Sequence, residues 1–98
     1  MIIGNLKLKS NILLAPMSGV TDYPYREIVK KFSPGLVFSE MIASRALIRK
    51  NKKTLNMIKR DSSEYYAIQI AGCDPLIMSE AAKICEDNGA DLIDINMG

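Results

Sequence analysis

Four short apolar runs recur along the chain, and each is followed by a polar or glycine-containing break and then a stretch of helical spacing. The first run, Asn11 to Ala15, suits a buried strand. Pro16 removes a backbone donor and ends it. Gly19 allows a tight turn, Thr21 or Asp22 can cap a helix, and Pro24 falls in that helix's first turn. Tyr25, Ile28, Val29 and Phe32 then fall on one helical face, which predicts a helix over Tyr23 to Phe32. Ser33-Pro34-Gly35 closes it. Leu36-Val37-Phe38 is a second strand, leading through Ser39-Glu40-Met41 into a helix expected from Glu40 to Ile48. Asn51 to Lys59, carrying Leu55 and Ile58, reads as a further short helix, and Asp61-Ser62-Ser63 as a turn. The third strand, Tyr65 to Ile70, is rich in aromatic and β-branched residues. Asp74 is a good N-cap with Pro75 at the first helical position, and Ile77, Ala81, Ile84 and Cys85 form the stripe of a helix reaching Asn88. Gly89 follows as a terminating residue. Ala90 to Ile95 is the fourth strand, although Asp91 and Asp94 interrupt its apolar character. Ahead of all this, Gly4-Asn5 between Ile2-Ile3 and Leu6-Lys7-Leu8 predicts a small β-hairpin.

After the hairpin the order is βαβαβαβ. Alternation at this spacing implies an α/β fold, a parallel sheet and right-handed crossovers, in one domain spanning residues 1–98. A four-stranded parallel sheet leaves edge strands exposed, and the sequence reaches Gly98 directly after a strand. The expectation is therefore a portion of a larger domain, with self-association through the exposed strands.

Composition narrows the class without changing this picture. The chain has 98 residues, 48% hydrophobic and 24% charged, which is globular and not disordered. No apolar run is long enough to span a membrane, and no basic region precedes a long apolar core. Cys73 and Cys85 lack metal-ligand spacing and the chain has no histidine, which argues against zinc and fits a reduced, cytoplasmic protein. Charge is unevenly spread. Met41 to Arg60 carries seven basic residues (Arg45, Arg49, Lys50, Lys52, Lys53, Lys59 and Arg60) and no acidic one, whereas Asp61 to Gly98 carries eight acidic residues and only Lys83 as a base. Such a split fits either a polyanionic partner or a solvated helix surface.

The chemistry sits at the strand ends. These carry Ala15-Pro16-Met17-Ser18-Gly19, Ser39-Glu40-Met41, Gln69 with Ala71-Gly72, and Asn96-Met97-Gly98. Parallel strands bring all four groups to one face, where small residues admit a planar ligand. The amides of Gln69 and Asn96 suit the edge of a heterocycle such as a flavin or a pyrimidine, although periodicity alone favours their satisfying loop backbone groups.

Leu14-Ala-Pro-Met-Ser-Gly-Val-Thr-Asp22, Ser39-Glu-Met41, Gln69-Ile-Ala-Gly72 and Asp94-Ile-Asn-Met-Gly98, in this order, resemble the tRNA-dihydrouridine synthases of bacterial type. The Ala-Pro-Met element alone also occurs in other flavin barrels; the four together are far more specific. The resemblance extends over essentially the whole chain but covers only the first part of the family's pattern. It implies the N-terminal portion of a (β/α)8 TIM barrel that binds FMN. The implied activity is NADPH-dependent reduction of uridine to dihydrouridine in tRNA, with a cysteine as the general acid at C5. Pro16, Met17, Ser18 and Gln69 match flavin-contacting positions, and Asn96 matches an asparagine close to the target base.

In the family Asn-Met-Gly is followed by Cys-Pro, and that cysteine is the catalytic acid. The sequence reaches Gly98, one residue short of it, so no catalytic residue is assigned and the fragment is expected to be inactive alone. Cys73, in a loop, and Cys85, on an apolar stripe, read as structural. The basic stretch gains a candidate role against the tRNA backbone through Arg49, Lys52 and Lys53. Two alternatives stand beside this reading: an FMN barrel oxidoreductase of the dihydropyrimidine or dihydroorotate dehydrogenase type, and a non-enzymatic remnant that binds nucleic acid.

Overall fold

Gly4-Asn5 reverses the chain, and strand β1 (Ile2–Ile3) pairs antiparallel with β2 (Leu6–Lys7). A computed structural model describes all residues from Met1 to Gly98. The remaining strands all run in one direction. Strand β3 (Leu13–Leu14) pairs in parallel with β4 (Leu36–Val37). The chain beyond β4 then meets β6 (Ala67–Ala71): Phe38 bridges to Ala67, and the Ser39 N–H donates to the Ala67 carbonyl at 3.0 Å. Strand β5 (Ile42–Ala43) pairs with the far end of β6, Ile42 opposite Ile70 and Ala43 opposite Ala71. β6 pairs along its whole length with β7 (Leu92–Asn96). Neighbours in sequence are therefore neighbours in space, with no reversal of order.

The crossovers are helical. They are α1 (Tyr23–Val29) with a 3-10 turn over Lys30–Phe32, the short pair α2 (Ser44–Ile48) and α3 (Lys52–Met57), and α4 (Pro75–Asp87). Side-chain oxygens cap three of them. Asp22 accepts from the Tyr25 N–H, Asn51 from Lys53, and Asp74 from Leu76 and Ile77. Of the two caps the sequence offers for α1, Asp22 is therefore the one used.

Alternation along β6 divides the core into two layers. Ile68 and Ile70 point toward the helices and pack with Ile42, Leu47, Ile58, Tyr66, Ala81 and Cys85. Ala67 points the other way, into a cluster with Leu8 and Leu36, joined by Leu13, Phe38 and Leu92. Leu13, Leu36, Ala67 and Leu92 are each the first residue of a strand, and Ile3, Leu6 and Leu8 lie against them. The hairpin thus covers the N-terminal ends of the strands on this second face.

Several elements depart from the sequence expectation. The first strand is confined to Leu13–Leu14, and Ile12 is 74% exposed. Its carbonyl accepts from the Gly35 N–H at 2.8 Å, and this close crossing leaves no room at Gly35, where a Cβ would stand 2.1 Å from the Ser10 oxygen. The expected apolar stripe of the first helix is largely in solvent, with Ile28 and Phe32 exposed, while Arg26 is buried with each of its three guanidinium nitrogens donating one hydrogen bond. One ion pair to Asp61 and two hydrogen bonds to backbone carbonyls, all from Arg26, tie this helix down. The helix expected from Glu40 begins at Ser44, because Ile42–Ala43 stays extended to pair with β6. The third and fourth strands start at Ala67 and Leu92. Just before them, the Tyr66 N–H is taken by the Asp91 carboxylate at 2.8 Å instead of a ladder carbonyl. No helix is long and apolar enough to cross a membrane.

Candidate ligand face at the strand ends

The loop leaving β3 is built around Thr21. This residue is fully buried, its Oγ1 accepting from the Met17 N–H at 3.0 Å and donating to the Met17 carbonyl at 3.2 Å. The N–H groups of Val20 and Thr21 converge on the same carbonyl. Gly19 adopts φ +72°, the left-handed conformation that costs other residues about 1 kcal/mol or more. The Gly19 N–H donates to Glu40 Oε1 at 2.8 Å, and Arg26 Nη1 donates to the Thr21 carbonyl at 2.8 Å. The result is a folded loop in which Pro16 is half-buried and Met17 and Ser18 are exposed.

The next strand end is tied to its neighbours by Ser39. Its hydroxyl accepts from the Gln69 N–H at 3.2 Å and donates to the Glu40 carbonyl at 2.9 Å. Gln69 is buried on the same side of β6 as Ala67 and Ala71. Directly opposite it in the parallel register stands Asp94, and Gln69 Nε2 donates to Asp94 Oδ2 at 2.6 Å. Asn96 is opposite Ala71, and its Nδ2 reaches Met41 Sδ at 3.4 Å while its Oδ1 accepts from the Gly98 N–H at 2.9 Å. The Gly72 N–H approaches the Asn96 carbonyl at 3.4 Å.

One face of the sheet thus changes character along its strands. Leucines and Ala67 line the N-terminal ends, and Gln69 and Asp94 form a polar layer above them. Ala43, Ala71 and Asn96 follow at the C-terminal ends. Gln69 and Asn96 are brought together on adjacent strands. The Pro16-Met17-Ser18 loop joins them indirectly, through the Gly19 contact to Glu40 and the Ser39 contact to Gln69.

The basic residues divide. Arg49, Lys52 and Lys53 are exposed and make no ion pair, and Lys53 borders an open cleft with Asp22, Tyr23 and Glu40, beside the β3 loop. Arg60 is spent within the fold, donating to the Gly89 carbonyl at 2.6 Å and pairing with Asp91 at 3.5 Å. Lys59 lies 4.9 Å above the Tyr23 ring centroid. Cys85 is buried in the core, and burial pushes its thiol up to about 11, so it stays protonated at neutral pH. Cys73 is exposed in the loop after β6. No cluster of three or more acidic, histidine or cysteine side chains is arranged to hold a metal.

Sequence reasoning passed over Thr21 as a loop lock, Glu40 as a clamp, Arg26 as a buried anchor and Asp94 as the partner of Gln69. Asp94 carried a signal, since it breaks an apolar strand. Arg26 carried none, because an arginine on a surface helix normally reads as solvated.

These features define an α/β chain with parallel strands and a layer of polar side chains, Gln69, Asp94 and Asn96, toward their C-terminal ends. The family model described as dihydrouridine synthase matches residues 13–98. The chain is 53% identical over 98 residues to a probable tRNA-dihydrouridine synthase of Rickettsia bellii, covering 98% of this chain and 30% of that protein. It is 46% identical to tRNA-dihydrouridine synthase B of Vibrio cholerae, covering 100% of this chain and 31% of that one. A probable tRNA-dihydrouridine synthase of Rhizobium leguminosarum is 45% identical, over 95% of this chain and 29% of its own length. The chain belongs to the dihydrouridine synthase family, and it spans about 30% of the length of the curated relatives it matches.

Proposed function

We propose that this chain forms the first wall of an FMN site in a tRNA-dihydrouridine synthase, and that its strands are the first portion of a (β/α)8 barrel. The sequential, unreversed parallel order supports the barrel, because doubly wound sheets reverse their strand order at the ligand crevice. The observation that carries the ligand reading is the buried Gln69. Its Oε1 has no hydrogen-bond partner in the protein, although both its backbone N–H and its Nε2 are satisfied. The oxygen is not sealed in the core, where Ser63 Oγ is the only unpartnered side-chain atom, but faces open space, and an acceptor there with alanines beside it fits the edge of a planar heterocycle.

When bound, FMN supplies hydride chemistry between NADPH and C6 of a tRNA uridine. The protein's part is placement. Pro16, Met17 and Ser18 border the flavin on a loop held by Thr21 and Glu40. Gln69 hydrogen-bonds the ring edge, and Asn96, farther toward the open end, orients the target base. Arg49, Lys52 and Lys53 hold tRNA phosphates beside this face by largely sequence-independent contacts. No residue of the chain is assigned the proton-transfer role, and the chain alone is expected to lack activity. Quenching of FMN fluorescence on titration with the protein tests the cofactor reading: wild type is expected to quench, and Gln69→Ala to weaken binding about tenfold, near the upper worth of one hydrogen bond. Equal binding by both proteins contradicts it.

A further inference from the structure

Asp94 is a half-buried carboxylate that breaks an otherwise apolar strand, and it makes no ion pair. Its one hydrogen-bond partner is Gln69, 2.6 Å away and directly opposite in the register. An ionised carboxylate only accepts hydrogen bonds, whereas an amide both donates and accepts. The end of Gln69 that faces Asp94 must therefore be its NH2 group, and Oε1 must point away. The other end of the residue is fixed as well, since the Gln69 N–H is held by Ser39, whose own proton is committed to the Glu40 carbonyl. Neither the backbone nor the amide of Gln69 is left to choose its orientation.

We propose that Asp94 is a positioning residue that commits Gln69 to present a hydrogen-bond acceptor, so that the face selects a heterocycle edge offering an N–H donor. With the ligand taken from the flavin reading above, that donor is the imide N3–H of the FMN ring. The orientation of the amide does not depend on that reading. Asparagine at position 94 could accept from or donate to Gln69, so the amide would lose its bias and the face its preference for a donor.

Two measurements on the 98-residue chain separate these points. In the ligand-free, 15N-labelled protein, one Gln69 side-chain amide proton is expected to be displaced downfield and slow to exchange with water. Asp94→Ala should return it to the range of a solvated glutamine and Asp94→Asn should move it part of the way, with circular dichroism confirming that each variant is folded. An unchanged resonance in both folded variants overturns the proposal. The second measurement compares FMN with N3-methyl-FMN, which lacks the donor. Wild type is expected to prefer FMN by about tenfold, and Asp94→Asn to reduce that preference to about twofold or less. The same preference in both proteins overturns the selectivity. If wild type responds to neither flavin, the flavin reading fails, and the amide resonance alone still decides the role of Asp94.

Discussion

Arg26 donates through Nε to Asp61 Oδ2 at 2.8 Å, with the two side chains 1% and 0% exposed. The same guanidinium reaches the Thr21 carbonyl at 2.8 Å and the Lys59 carbonyl at 3.1 Å. A single fork thus ties helix α1 to the β3 loop and to the chain entering β6. Burial alone would raise the Asp61 carboxyl, but hydrogen bonds from Ser63 and Arg26, with the charge of Arg26, outweigh it and hold the group below its ordinary value of 3.8.

The pair sets a pH dependence. A carboxyl lowered in the folded state contributes stability above pH 3.8, and that contribution is lost as pH falls through the folded value. Asp61→Asn leaves the buried guanidinium without its counter-charge and is expected to cost about 3–5 kcal/mol at neutral pH. Thermal melts of wild type and variant should converge as the pH drops below 3.8. A gap that stays constant, or widens, in acid contradicts this role for the pair.

Thr21→Val keeps the shape of the side chain but removes both hydrogen bonds to Met17. The expected cost is about 1–3 kcal/mol, with faster hydrogen exchange at the Met17 amide than at the β6 amides. Uniform acceleration across the chain would mean that Thr21 supports the fold globally and not the loop.

Gly35→Ala places a methyl group 2.1 Å from the Ser10 carbonyl oxygen, a backbone atom that cannot swing aside. Strain of this kind costs about 1–3 kcal/mol or more, so the melting temperature should fall by several degrees. A variant as stable as wild type would show that the crossing of Ser10 over Gly35 is loose enough to admit a methyl group.

Charge reversal at Arg49, Lys52 and Lys53 tests the proposed nucleic-acid surface. If these exposed groups hold tRNA phosphates, the triple variant should bind tRNA more weakly. The slope of log affinity against log salt should also fall by about one for each phosphate no longer neutralised. Unchanged affinity and slope in a shift assay would reject the assignment.

Much of the architecture was legible from local rules. The hairpin turn, the caps at Asp22 and Asp74 and the span of α4 follow from turn residues and periodicity, which act within a few positions. The expectations that failed concern partners distant in sequence. The apolar stripe of Tyr25, Ile28 and Phe32 has the right period for a buried face, but that period does not reveal Asp61, thirty-five positions beyond Arg26. Ile42–Ala43 reads as helix until the edge of β6 offers it a ladder. For the candidate site, Gln69 and Asn96 were visible as amides at strand ends, and the family motifs pointed to the loop. Glu40 and Asp94 act through other side chains, so their roles emerge only from contacts across strands.

Ile12, Ile28, Phe32, Ile95 and Met97 are each more than half exposed, a large apolar area for so small a chain. Sedimentation should therefore detect concentration-dependent self-association, reduced by Ile95→Lys with Met97→Lys. A monodisperse monomer with a sharp melt would contradict it.

The proposed flavin wall, running from the β3 loop across Gln69, can be tested by following amide shifts of the labelled chain as FMN is added to saturation. Shifts are expected to concentrate at Met17, Ser18, Gln69 and Ala71, and in Gln69→Ala to need about tenfold more FMN to reach completion. Saturating FMN that leaves these amides unmoved, or moves only those of helix α4, would place the flavin elsewhere and contradict the wall.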